Sequence, residues 1–265
     1  MSDKTLNALP PHANAGQSEF SIGGIRLENS LIWPLAIALF MFMLIAGPSV
    51  LIPNNIAWMD YGDAATNYLG WQSYRDSPWT WPPFENPGYG AEFARSIVYT
   101  DSLPIAAIIA KVVSPFMPQP FNFFGYWLLM CIVLQSIFAW KLVGLFEKEL
   151  PLRAICTTLL AFSPAMIIRF TEGYFNTAHL ALASHFLILA CLFECLRPST
   201  GRRAWVWLAL IGFALLTHAY MFAIVGMFWI ASLADDVWRK RFRIAPVALE
   251  TIAVGALVVT IWNLA

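Results

Sequence analysis

Residues 31–52 read LIWPLAIALFMFMLIAGPSVLI, twenty-two positions without a charged side chain. A helix crossing a hydrocarbon core of about 30 Å takes roughly 20 apolar residues, so this segment is long enough to cross a bilayer. Before it lies a thirty-residue segment that is polar as a whole, with Pro10, Pro11, Gly16, Gly23 and Gly24 and no apolar core. A cleaved leader has its apolar region directly after a short basic one, so residues 31–52 read as a retained signal anchor behind a cytoplasmic tail, 1–30.

Further apolar runs lie at about 102–117, 121–145, 152–169, 178–196, 204–216, 220–234 and 245–265. Hydrophobic residues make up 59% of the 265 and charged residues 12%. Water-soluble domains are about half apolar and a quarter charged, which excludes a cytosolic fold. Formal net charge is zero, so no nucleic-acid partner is implied. Cys131, Cys156, Cys191 and Cys195 all fall in apolar runs, which suits small buried hydrophobes and not a zinc site.

Basic residues orient the spans, because Lys and Arg accumulate on cytoplasmic connections. Arg197, Arg202 and Arg203 mark one connection; Arg239, Lys240, Arg241 and Arg243 mark a second; Lys141, Lys148 and Arg153 bracket a third around 146–151. All three fall inside only if 102–117, which carries Lys111 and is bounded by Pro104, Pro115 and Pro118, lies along the outer surface. The expected fold is an all-α integral membrane protein of about seven transmembrane helices over residues 31–265. Its N-terminus is cytoplasmic, and its long outer loop, 53–120, carries surface helices. Runs 204–216 and 220–234 are short for upright spans and read as a tight hairpin with an outward tip, Thr217 to Tyr220.

Chemistry is expected on the outer side. A loop as long as 53–120 is uncommon without a function. Its Trp58, Trp71, Trp79 and Trp81 suit an interfacial aromatic belt. If Asp60 to Tyr74 is helical, Asp60, Asp63 and Asn67 share one face, where two carboxylates and an amide could deprotonate an acceptor or hold a divalent cation. The short connection 170–178 adds Glu172, with Arg169 at the membrane edge and His179 just after. His179 and His185 are out of phase on a helix, so they read as separate hydrogen-bonded core histidines. His218 and Tyr220 at the hairpin tip complete the outer polar set.

The stretch Asp60-Tyr61-Gly62-Asp63-Ala64-Ala65, followed much later by Phe170-Thr171-Glu172-Gly173-Tyr174-Phe175-Asn176, resembles the two acidic motifs of the C-superfamily membrane glycosyltransferases. The turn 146–151 and the short aromatic hairpin are similar in place to those of oligosaccharyltransferase catalytic subunits. Gly70-Trp71, Arg75, Pro78-Trp79, Asn86-Pro87, Tyr89-Gly90, 96–99, Asp101-Ser102 and Pro104 look like a bacterial branch of that superfamily. The resemblance implies transfer of a sugar from a polyprenyl-phosphate donor on the outer face of the bacterial inner membrane. Asp63 would be the base, with Asp60 and Glu172 assisting and Arg169 meeting the phosphate. Asn67, His179, His218 and Tyr220 would line the substrate site. Asn176 and Thr177 stand where relatives place acids, which leaves open whether a divalent cation or Arg and Lys neutralise the leaving phosphate. Many relatives continue past the seventh span, so the 265 residues read either as the conserved core alone or as a shortened chain that is inactive by itself. From another class, a scaffold or flippase subunit of cell-envelope polysaccharide assembly fits the same outline. Transporters favour polar residues mid-bilayer, which these runs nearly lack.

Overall fold

The computed structural model describes residues 21–22, 25–26, 30–89, 96–100, 103–164, 166–167, 179–197, 204–239 and 244–264. The chain divides into two units, Met1–Ser30 and Leu31–Ala265. In the first, Ser21–Ile22 (β1) and Ile25–Arg26 (β2) pair as an antiparallel hairpin. The second is helical: α1 (Ile32–Ile45), α2 (Gly62–Asp76), α3 (Pro104–Val113), α4 (Phe124–Val143), α5 (Leu150–Ala161), α6 (Phe186–Leu196), α7 (Ala204–Leu215), α8 (Ala219–Trp238) and α9 (Ile244–Leu264).

Helix α4 is the hub, packed against α1, α5 and α6, while α7 joins α8 and α9. At 20, 20 and 21 residues, α4, α8 and α9 are long and apolar enough to cross a membrane. The ten residues of α3 extend roughly 15 Å, half of a hydrocarbon core. Among the spans, α9 carries a buried acid, Glu250, whose Oε1 accepts the indole N–H of Trp229 on α8 at 2.7 Å. A buried carboxylate in an apolar helix needs such a donor, and this one joins the two helices.

Apolar runs overstate several helices. The first run bends after Ile45, where Gly47 takes φ 73° and Pro48 opens a 3-10 turn, Pro48–Leu51. Left-handed backbone is open to glycine at little cost, and proline cannot continue the ladder. Helix α5 ends at Ala161, short of the expected 169, and α6 starts only at Phe186, after a series of turns over 180–183. Helix α8 corrects the expectation in the other direction. It runs four residues past 234 because Asp235 pairs with Arg239 one turn on, at 2.8 Å, and is not too short to cross. Cys195, expected to be buried, is exposed near the C-terminal end of α6.

The approach of α4 to the 3-10 turn is tight. A Cβ on Gly125 would collide with the Val50 carbonyl oxygen and lie 2.6 Å from its carbon. Backbone atoms cannot swing aside as a side chain can, so Gly125→Ala is expected to cost about 1–3 kcal/mol or more. Melting in detergent checks this against Gly226→Ala, where nothing lies within 4 Å. That control should be neutral or gain up to about 1 kcal/mol of helix propensity.

Candidate active site

Helix α2 carries the site, and its inner face is built from Ala64, Asn67, Gly70, Trp71 and Tyr74, all buried. Trp71 is the anchor. Its Nε1–H donates to the Phe121 carbonyl at 2.9 Å, and its ring meets Phe121 and Phe123 edge-on at 5.9 and 5.0 Å. Expected in an interfacial belt, it is instead fully buried in this core, whereas Trp79 and Trp81 are exposed. The loop after α2 folds back along it. Asn86 Nδ2 donates to the Gly70 carbonyl at 3.0 Å, Ser73 Oγ donates to Asn86 Oδ1 at 3.0 Å, and Tyr74 OH donates to the Pro83 carbonyl at 2.6 Å. Burial pushes the Tyr74 phenol up to about 12, which keeps it a donor.

Lys111 of α3 is expected at the interface, yet it is only 5% exposed. Its ammonium lies over the rings of Tyr74 and Trp79, 4.1 and 4.9 Å from their centroids, and donates to Ser77 Oγ and the Pro78 carbonyl. Desolvation lowers its pKa below the usual lysine range. At the other end of α3, Ile105 N–H donates to the Leu216 carbonyl at 3.0 Å, tying this helix to the α7–α8 hairpin. Most of the motif residues between Gly70 and Pro87 that carry the resemblance therefore fasten the outer loop to itself.

Asp63 stands apart from that framework. It sits in the first turn of α2, which Gly62 opens at φ 62°. The helix dipole favours a carboxylate there. Its Oδ2 lies 2.9 Å from His179 Nδ1, and the two side chains are 47% and 36% exposed, so the pair is open to a substrate. His179 is not a core histidine as expected, because the helix it was assigned to begins seven residues later. It starts a turn whose next residue, Leu180, is fully buried and accepts Trp127 Nε1–H of α4 at 2.8 Å. Ala183 N–H closes that turn on the His179 carbonyl at 3.1 Å.

The other expected site residues divide. Asn67 lies one turn beyond Asp63 on α2 but is buried at 2% exposure, facing the loop core. Asp60 is not on α2: it closes the 3-10 turn Ala57–Met59 and is exposed. The extended Tyr61 and positive-φ Gly62 stand between it and the helix, so the proposed common face for all three residues does not form. His218 caps α8, its Nδ1 accepting Tyr220 N–H at 3.1 Å, with the two rings 4.9 Å apart. Neither residue bonds to Asp63 or His179. Arg169 and Glu172 lie outside the described residues. Among the described residues no three His, Cys, Asp or Glu side chains gather as a metal ion would require. The contact between residues 63 and 179 carried no spacing signal; only His179's position just past the outer connection hinted at it.

Long apolar helices around α4, with an ordered loop that exposes an acid–imidazole pair, define a helical membrane protein. Over residues 35–265 the chain matches the family described as Domain of unknown function (DUF6311), and it belongs to that family. No curated protein and no solved structure matches it.

Proposed function

We propose that this protein is a C-superfamily membrane glycosyltransferase, moving a sugar from a polyprenyl-phosphate donor to an acceptor at the outer face of the bacterial inner membrane. The observation that carries the reading is the 2.9 Å contact between Asp63 and His179. It joins the first outer loop to the residue just after the second outer connection, the two places where the resemblance puts acceptor chemistry. With Oδ2 occupied by the imidazole N–H, Oδ1 of Asp63 is left to take the acceptor's proton. The acceptor oxygen or nitrogen then bonds to the anomeric carbon. The carbon–oxygen bond to phosphate breaks, and polyprenyl phosphate leaves with the electron pair. One base suffices for such an inverting displacement, with no covalent sugar–enzyme intermediate. His179 is the positioning residue, fixing the carboxylate rotamer. The test is transfer of labelled sugar from a polyprenyl-phosphate donor by the protein in proteoliposomes. Absence of transfer to every lipid, glycan and peptide acceptor offered would overturn the reading.

The topology that goes with it has seven spans (α1 and α4 to α9), the N-terminus inside and α2 and α3 outside. The apolar side chains that α1, α5 and α9 leave exposed, such as Phe40, Leu159 and Ile252, suit contact with lipid. In a background with the four cysteines replaced, an impermeant thiol reagent should label a cysteine at Pro83 readily and one at Thr200 poorly. Strong labelling at 200 would put the 197–203 connection outside and remove this topology.

A further inference from the structure

A cavity of about 240 Å³ lies where α5 ends and α6 begins, against the flank of α4. Its walls mix carbon with neutral polar groups: Leu159 and Leu160 from the last turn of α5, Ser163 just beyond, His185 and Ile188 from the start of α6, and Gln135 from α4. Among the described residues no Asp, Glu, Lys or Arg lines it. Leu159 and Leu160 are also 70% and 38% exposed, so the cavity opens sideways, toward lipid on the proposed topology.

Gln135 is the polar group without a match. It is only 3% exposed, yet its Oε1 meets no donor and its amide nitrogen no acceptor. It stands eleven residues past Phe124, roughly 17 Å along a helix long enough to cross a membrane. Bulk water does not reach that depth, and a buried carboxamide left unpaired is costly. The two ends of a carboxamide have the same shape and exchange places by a half-turn about the last torsion, so either end is available to the cavity. A second acceptor borders the same space. Pro164 stands four residues after Leu160 and has no N–H to return to its carbonyl. A purely apolar cavity stays dry, but one with unpaired acceptors beside it calls for a donor.

We propose that this cavity binds an uncharged lipid alcohol, whose hydroxyl donates to the Gln135 carboxamide and whose hydrocarbon passes out between Leu159 and Leu160. A hydroxyl both donates and accepts, so Ser163 completes its pairing. A ketone or an ether accepts only and leaves Gln135 Oε1 unmet. A polyprenyl phosphate is a poor occupant, because its charge would lie in mid-span with no cation lining the site. The inference is thus independent of the transfer proposed at Asp63.

Photolabelling in phosphatidylcholine nanodiscs tests this, with a diazirine-bearing octanol and its methyl ether as probes. The ether accepts hydrogen bonds and donates none. The octanol should reach half-saturation at about fivefold lower concentration, the scale of one neutral hydrogen bond, and its label should map to cavity residues such as Leu159 and Ile188. Gln135→Leu, similar in volume, should make the two probes equal. Leu160→Trp, at a partly exposed position, should fill the mouth and remove cavity labelling by both. Melting in detergent shows whether each variant folds. Equal half-saturation of the two probes by the wild type, or a difference that survives Gln135→Leu, would overturn the proposal. So would octanol label confined to residues outside the cavity, which would mean hydration only, or undiminished cavity label in folded Leu160→Trp. If neither variant folds, the wild-type comparison and the mapped residues decide it.

Discussion

Asp63→Asn is expected to lower glycosyl transfer about 10²- to 10⁴-fold, the usual scale for loss of one general base. Asparagine keeps the shape and an oxygen for His179 to bond, 2.9 Å away in the native pair, but removes the basic oxygen. Folding should be untouched, because the side chain is half exposed. His179→Gln tells base from positioner. Glutamine retains a donor, so a positioning histidine leaves most of the turnover, and His179→Ala then loses more than His179→Gln. If His179→Gln falls as far as Asp63→Asn, the imidazole is the base and the carboxylate orients it. Asp60→Asn, at a residue off the helix, should leave turnover within a few-fold of wild type. Full activity in Asp63→Asn removes both acid and dyad from the mechanism.

Trp71→Ala is expected to give the largest loss of stability among single substitutions in the outer loop, about 3–5 kcal/mol. The indole is fully buried, touches two phenylalanine rings edge-on and supplies the hydrogen bond to the Phe121 carbonyl. Alanine leaves a cavity and an unpaired buried carbonyl. Trp71→Phe keeps most of the volume and loses the donor, so it should cost less, about 1–3 kcal/mol. Unfolding in detergent micelles reads both. Equal small losses would mean that the loop core collapses around the gap and that Trp71 does not hold α2. Because Asp63 rides on the same helix, transfer should fall with stability in Trp71→Ala and recover in Trp71→Phe.

The long helices were legible because nothing interrupts them: the runs at 121–145 and 245–265 appear as α4 and α9 with ends moved by only a few residues. The run at 152–169 was harder. Hydropathy continues through Phe162 and Ser163, but the backbone leaves the helix at Phe162, with φ −119° and ψ 46°. Apolar composition shows that a segment is buried or in lipid, not that it is helical. The acidic site was half legible. The spacing of Asp63 and Asn67 gave one helix turn correctly, while Gly62 moved Asp60 off it. Of the basic residues that bracket the turn at 146–151, Arg153 is buried, its guanidinium 4.0 Å from the Trp140 ring centroid and donating to the Trp140 carbonyl, a contact that charge counting alone does not reveal. The contact between residues 63 and 179 depends on how the outer loop folds over the helix ends, which local pattern does not encode.

Lys111, gripped between Tyr74 and Trp79, does for the outer loop what a keel bolt does for a hull. It fixes the buoyant part, α3, to the part that carries the acid, α2. On the proposed topology, the height of Asp63 above the hydrocarbon follows α3 together with the α7–α8 hairpin to which Ile105 ties it, so a change in lateral pressure or bilayer thickness reaches the acid through both.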